Sequence, residues 1–113
     1  MHEMSLAENV LQIIEQSAIE QKFTRVKTVW LEIGQLSCVE PEALLFHFEV
    51  VTRDSIAHQA QLEIIRIHGY GCCNHCAHEM PLASIYDSCH KCDTYDIRII
   101  RGDEMRIKEL EVE

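Results

Sequence analysis

Cys73-Asn74-His75-Cys76 and Cys89-His90-Lys91-Cys92 are two C-x-x-C pairs separated by twelve residues, and they decide the fold of the second half of the chain. A cysteine pair at this spacing can turn both sulfurs toward one point across a tight turn. Two such turns supply four soft ligands in a tetrahedron, which is the arrangement of a closed structural zinc site. A thioredoxin-like redox motif needs only one C-x-x-C inside a βαβ unit, so it does not fit the pair. We therefore predict that Cys73, Cys76, Cys89 and Cys92 bind Zn²⁺.

The remaining cysteines and the amino-terminal sequence indicate the redox setting. Of the six cysteines, Cys38 and Cys72 lie outside the paired motif. The first residues form neither a basic n-region nor a long apolar segment of a signal peptide. No apolar run approaches the roughly 20 residues that a transmembrane helix needs. We expect a cytoplasmic protein without membrane insertion, in which thiols bind metal rather than form disulfides.

The charge of the chain narrows the class of partner. The formal net charge is -9, whereas a nucleic-acid surface needs Lys and Arg to neutralise phosphates, so we expect no nucleic-acid partner. An acidic chain suits a protein that handles cations or docks on a basic partner. The sequence shows no Ser/His/Asp set, no phosphate-binding loop and no carboxylate pair for acid–base chemistry. We predict that the protein is not an enzyme, and the missing P-loop excludes a GTPase.

The first part of the chain reads as alternating helices and strands. Ser5 and Glu8 have the spacing of a capping box, and apolar residues recur at helical spacing after them, so we predict a helix over 5–22. Residues 25–33 are rich in β-branched and aromatic side chains, which predicts a strand that Gly34 ends. Pro41 fits the first turn of a second helix.

The amino-acid composition of the chain changes after Gly69. Residues 61–68 read as a strand, and 105–112 read as a last strand that rejoins the first sheet. Between them lies a Cys- and His-rich lobe, too small to bury a core, for which the metal must substitute. We predict an α+β fold, in which a small mixed sheet with two helices spans 1–69 plus 102–113 and carries an inserted zinc-ribbon lobe at 70–101.

His2 is the second informative residue. The free α-amine of Met1, the amide nitrogen and imidazole of His2, and the amide nitrogen of Glu3 can surround a metal in one plane. Square-planar nitrogen coordination suits Ni(II) or Cu(II) and does not suit tetrahedral zinc. A histidine at position two is also common on a solvated chain end, so this residue alone does not decide the matter.

Four motifs follow one another along the chain: Met1-His2-Glu3-Met4-Ser5-Leu6, Val29-Trp30-Leu31-Glu32-Ile33-Gly34, Leu36-Ser37-Cys38-Val39-Glu40 and the two C-x-x-C pairs. This ordered set resembles the HypA/HybF family of nickel metallochaperones. The resemblance covers essentially the whole chain in the same order. It implies a nickel-binding α/β part with an inserted zinc ribbon, and delivery of Ni(II) to the [NiFe]-hydrogenase large subunit together with the maturation GTPase HypB.

Carried over residue by residue, the resemblance implies that Met1, His2 and Glu3 bind nickel as cargo and that the four motif cysteines bind structural zinc. Cys72, directly before the first pair, departs from the family pattern, but only Cys73 has the two-residue spacing to Cys76. The resemblance leaves the client open between a hydrogenase and urease. A homodimer is compatible with the sequence. The alternative is a zinc-ribbon protein-interaction adaptor without cargo metal.

Four other residues carry explicit expectations. We expect Cys38 to be a small buried residue, because free cysteines are usually buried. His75 and His90 should be exposed and donate hydrogen bonds near the thiolates. A sharper hypothesis, in which one of these histidines replaces a cysteine ligand, stays open. Trp30 should lie in the core or at an interface.

Overall fold

The computed structural model describes residues 3–113. Its elements are α1 (Glu3–Gln21), β1 (Val26–Gly34), a short 3-10 helix (Gln35–Ser37), α2 (Pro41–Val51), β2 (Gln61–Ile67), β3 (Gly69–Cys73), β4 (Glu79–Leu82), β5 (Ile97–Arg101) and β6 (Met105–Val112). The strands form two three-stranded sheets, with the orders β2-β1-β6 and β4-β3-β5. No helix among the described residues is long and apolar enough to cross a membrane.

The last strand closes the first sheet, as the sequence predicts. The Thr24 N–H donates to the carbonyl of Glu113 at 2.9 Å, and the Gly34 N–H donates to the carbonyl of Glu104 at 2.7 Å. The beginning of β1 therefore lies beside the end of β6, so the two strands run antiparallel. The predicted α+β class, with two helices, small sheets and an inserted cysteine-bearing lobe, is confirmed.

The chain forms two compact units. The first contains Met1–Leu31, Val39–Ile65 and Arg106–Glu113. In it α1 packs against α2. The buried residues of both helices recur at helical spacing, and those of β1 alternate from Val29 onward. Their buried side chains are Leu6, Ala7, Val10 and Ile14 from α1, Val26, Val29 and Leu31 from β1, and Leu44 and Phe48 from α2.

The predicted start of α1 is wrong. The helix already includes Glu3, so Ser5 lies within it as an exposed residue and cannot be the residue that precedes the first turn. The Ser5–Glu8 spacing of a capping box also occurs inside helices, and Glu3 favours an earlier start because an acidic side chain in the first turn stabilises the helix dipole. The predicted start of α2 is confirmed, with Pro41 in its first turn.

The expectation that Cys38 is buried is also wrong. Cys38 ends the 3-10 helix in the left-handed conformation, with φ 62° and ψ 22°, and its side chain is exposed. The next residue, Val39, takes the buried position instead, with 6% of its side chain exposed. Trp30 is half-buried on β1, between the core and the surface.

The second unit contains Glu32–Cys38 and Arg66–Met105. Its small apolar cluster consists of Leu36, Cys73, Met80, Leu82 and Cys89, with Ile97 and Ile99 packed against it. Two of the four motif cysteines are therefore part of this unit's core.

Gly34, Gly69 and Gly102 lie close together in the second unit. A Cβ on Gly34 would overlap the carbonyl group of Gly102, and Gly102 itself has φ +106° beside the Cα of Gly69. The Leu36 N–H donates to the carbonyl of Gly102 at 2.6 Å. Gly34 thus ends β1 where the backbone must approach another segment closely, which only a residue without a side chain permits.

Two adjacent isoleucines of α1 provide a matched test of this packing. Ile14 is fully buried, whereas Ile13 is 53% exposed. We expect Ile14→Ala to lower the free energy of unfolding by about 2–4 kcal/mol, because it removes buried methyl groups and leaves a cavity. Ile13→Ala should change it by less than about 0.5 kcal/mol. Urea unfolding followed by circular dichroism measures both, and equal effects would contradict the described orientation of α1.

Candidate metal centre

The structure brings the four predicted cysteines together. The sulfurs of Cys73, Cys76, Cys89 and Cys92 all lie within 4.8 Å of one another. The Cys73 and Cys92 sulfurs are 3.5 Å apart, and those of Cys76 and Cys89 are 3.6 Å apart. These distances are too long for disulfides. A tetrahedron with zinc–sulfur bonds of the usual length has edges of about 3.8 Å, so the cluster fits a zinc site.

Each C-x-x-C pair is held by the same backbone turn. The Cys73 N–H donates to the carbonyl of His78 at 2.9 Å, and the Ala77 N–H donates to the carbonyl of Cys73 at 2.9 Å. In the second turn, the Cys89 N–H donates to the carbonyl of Thr94 at 2.7 Å, and the Asp93 N–H donates to that of Cys89 at 3.0 Å.

The residue after the second cysteine of each pair has a left-handed backbone. The φ angle is 62° at Ala77 and 61° at Asp93. Such angles disfavour a residue with a Cβ, so the surrounding hydrogen bonds must hold these turns in place. The two turns are therefore equivalent in backbone geometry as well as in cysteine spacing.

Backbone N–H groups stabilise the first sulfur of each pair as an anion. The N–H groups of Cys76 and His75 point at the Cys73 sulfur, at 3.5 and 3.4 Å. Together with the Thr94 hydroxyl and Cys92, they outweigh desolvation by burial and lower the pKa of Cys73 to about 6. The backbone N–H groups of Cys92 and Lys91 likewise lower the pKa of Cys89.

The second sulfur of the first pair behaves in the opposite way. The backbone N–H of His78 lowers the pKa of Cys76, but desolvation and the neighbouring sulfurs, Cys89 first, outweigh it and raise the pKa to about 12. Four like charges at these distances repel one another unless a cation lies among them. A bound divalent cation would displace the remaining protons, which is how metal affinity couples to pH in thiolate sites.

The two histidines inside the turns are exposed, as predicted. The ring of His75, however, pairs with a carboxylate: its Nε2 lies 3.2 Å from Oδ2 of Asp96. At His90, the backbone N–H donates to the Met80 sulfur at 3.5 Å. The groups that donate to the cysteine sulfurs are thus backbone N–H groups rather than these two rings.

Thr94 also contacts the cysteine sulfurs, which the sequence did not lead us to expect. Its Oγ1 lies 3.7 Å from the Cys73 sulfur and 3.9 Å from the Cys92 sulfur. The available signal was its position two residues after Cys92, where a hydroxyl can reach back to the cluster. The two remaining cysteines, Cys38 and Cys72, lie outside the cluster. Cys72 neighbours Cys73 on β3, so its side chain points to the opposite face of the sheet.

The predicted nickel ligands fall at the edge of the described chain. Met1 and His2 lie outside the described residues. Glu3 is the first described residue of α1, and it is half-buried. The square-planar nitrogen site therefore stays a prediction.

Comparison with known proteins adds the family. The sequence model described as "Hydrogenase/urease nickel incorporation, metallochaperone, hypA" matches residues 1–112. The chain is 55% identical over 113 residues to the hydrogenase maturation factor HypA of Albidiferax ferrireducens, and 50% identical over 113 residues to that of Azotobacter chroococcum. Both alignments cover 100% of each chain.

Solved structures give the same family. The solution structure of the Ni metallochaperone HypA from Helicobacter pylori superposes with a TM-score of 0.75 at 26% identity, and the match covers 99% of this chain and 97% of that one. A second solution structure, of a HypA protein, gives a TM-score of 0.69 at 27% identity and covers 100% of this chain and 97% of that one. With its full-length match and its cysteine cluster, the chain belongs to the HypA family of nickel metallochaperones for hydrogenase maturation.

Proposed function

We propose that this chain carries Ni(II) at its amino terminus and helps to insert it into the large subunit of a [NiFe]-hydrogenase. Nickel is the cargo, bound by the Met1 amine, the His2 imidazole and amide nitrogen, and the Glu3 amide nitrogen. The maturation GTPase HypB is the proposed partner for delivery. The protein acts in the cytoplasm and does not itself catalyse a reaction. Its nickel-binding part comprises 1–69 plus 102–113, and its zinc ribbon comprises 70–101.

The observation that supports this proposal best is the family match over residues 1–112, which includes Met1-His2-Glu3. Four nitrogen donors from three consecutive residues form fused chelate rings, and nickel accepts this planar set whereas zinc does not. Cu(II) binds nitrogen sites more tightly than Ni(II) does, so the choice of metal depends on the supply in the cell.

The location of the site at a chain end explains how it can both hold and release nickel. A site built from one terminus is open to an acceptor on one side. Acceptor thiolates can then displace the nitrogen ligands one at a time, so the metal never has to leave as a free ion. The proposed site binds nickel mainly through backbone nitrogen atoms at the chain end. A partner can therefore take the metal by exchanging ligands, and the chaperone does not need to unfold.

The four cysteines are the proposed zinc ligands, and the zinc is structural. Cys73 and Cys89 are buried, with 1% and 0% of their side chains exposed, while Cys76 and Cys92 are exposed. Four protein ligands leave no open position for a substrate, which distinguishes a structural from a catalytic zinc site. When bound, the metal would offset half of the charge of the four thiolates and hold the two turns together.

The nickel role predicts a specific requirement for His2. We expect His2→Ala to abolish most hydrogenase maturation at limiting nickel, because the planar site loses its only side-chain ligand. Excess nickel should restore activity in part. The matched control is His68→Ala, which removes an exposed imidazole outside the proposed site. Hydrogenase activity in cells that carry each variant is the measurement. Normal maturation by His2→Ala at limiting nickel would sink the terminal-site proposal.

The zinc role predicts unequal effects of two substitutions that each remove one ligand. We expect Cys73→Ser to destabilise the zinc-loaded lobe by about 1–3 kcal/mol more than Cys76→Ser, because the first also places a hydroxyl in the apolar cluster. Thermal unfolding with stoichiometric zinc, monitored by NMR signals of β3 to β5, measures the difference. Equal destabilisation by both variants would mean that burial of Cys73 adds nothing to its role as a ligand.

A further inference from the structure

The β4-β3-β5 sheet has an outer face that the metal centre does not use. Its inner face supplies Cys73, Met80, Leu82, Ile97 and Ile99 to the apolar cluster. Side chains alternate along a strand, so the residues between these lie on the other face. Across the three strands, Glu79 on β4 is paired with Cys72 on β3, and Cys72 is paired with Arg98 on β5. Glu79 and Arg98 are exposed.

A β-bulge changes which side chains of β5 reach this outer face. Gly71 is paired with Ile99 and Tyr70 with Arg101, so β5 has two residues, Ile100 and Arg101, where β3 has one. Without the extra residue, strict alternation would turn Arg101 toward the apolar cluster. The bulge places Ile100 and Arg101 on the same side as Arg98, and Ile100 is 39% exposed.

The aromatic ring of Tyr70 holds one of these two arginines. The guanidinium carbon of Arg101 lies 4.3 Å from the centroid of the Tyr70 ring. A cation over an aromatic face loses rotational freedom but keeps N–H groups that can still bind an anion. Arg101 is therefore oriented before a ligand arrives, which reduces the entropy lost on binding.

Among residues 3–113, neither the Arg98 nor the Arg101 guanidinium forms a salt bridge with a carboxylate. The chain has 19 acidic residues against 10 basic ones, whereas on this face of the three strands Arg98 and Arg101 outnumber the one carboxylate, Glu79, which lies across Cys72 from Arg98. Guanidinium groups bind carboxylates in a bidentate geometry, and this face presents two of them around an apolar side chain.

We propose that this outer face docks an acidic segment of a protein partner. Carboxylates of the segment pair with Arg98 and Arg101, and an apolar side chain packs beside Ile100. A protein segment fits better than a nucleic acid, because the net charge of -9 repels a polyanion, whereas a short segment brings only a few charges to the face. The hydrogenase large subunit and HypB are chosen as test partners because of the proposed function. The docking face itself is inferred independently of that function.

The test compares charge reversal on this face with the same charge change elsewhere. The variant Arg98→Glu/Arg101→Glu should lower the affinity of the zinc-loaded protein for the large-subunit precursor or for HypB by about tenfold or more. The control Arg25→Glu/Lys108→Glu reverses two exposed cations of the first unit and should change it by less than about threefold. Tyr70→Leu should give an intermediate loss, since Arg101 keeps its charge but loses its orientation. Biolayer interferometry measures all four proteins.

A second probe does not depend on the identity of the partner. A short peptide with glutamates on both sides of one leucine, titrated into zinc-loaded protein, should shift the NMR signals of residues on β3 and β5 that face outward. The shifts should disappear with Arg98→Glu/Arg101→Glu and persist with the control. An oligonucleotide of equal charge should bind this face more weakly than the peptide.

Three outcomes would overturn the proposal: equal losses in the two charge-reversed variants, shifts absent with the peptide and unchanged partner binding, or tighter binding of the oligonucleotide. Nickel binding, measured on the same samples, separates this proposal from the cargo role. If the unmodified protein binds no nickel and Arg98→Glu/Arg101→Glu still loses partner binding, the docking face is supported. Only the metallochaperone proposal is then contradicted.

Discussion

Four cysteine sulfurs share a volume in which each lies within 4.8 Å of the others, and the second half of the molecule is arranged around that constraint. Thiolates this close need a cation among them. Two equivalent backbone turns, each closed by a left-handed residue, bring the sulfurs to that point. Because Cys73 and Cys89 also belong to the apolar cluster, metal binding and hydrophobic packing stabilise the same few residues. Because the same cysteines serve as metal ligands and as core residues, the small second unit does not need a large hydrophobic core.

Much of the architecture could be predicted because its signals are local. The C-x-x-C spacing predicts the turns, and Pro41 predicts the start of α2. Features that depend on tertiary contacts could not be predicted in the same way. The conformation of Cys38 follows from how the 3-10 helix ends. The requirement for Gly34 arises from the approach of Gly102, which is distant in sequence.

The cysteine cluster, like the fold, could be predicted only where its signals are local in sequence. Cysteine spacing identified the four sulfurs that the structure gathers, and it separated Cys73 from its neighbour Cys72. The position of Thr94 two residues after Cys92 is compatible with its contact with the Cys73 sulfur, but neither that contact nor the N–H groups that point at sulfur follow from spacing alone, because both depend on how the turns close. The bulge in β5 falls at Ile99-Ile100, where the alternation of isoleucine and arginine breaks, but that break alone does not show which residues of β3 lie opposite it.

The proposed function assigns one metal to each kind of donor. Soft thiolates in a closed tetrahedron retain zinc, whereas nitrogen donors at an open chain end hold nickel that can be passed on. The most direct test is a Ni(II) titration of zinc-loaded protein with its native Met1 terminus, set against a version extended by one residue before Met1. The extension leaves every side chain in place but removes the terminal amine from the chelate. The account predicts that the extension abolishes the absorbance band of the square-planar site and weakens binding; equal nickel binding by both proteins would contradict it.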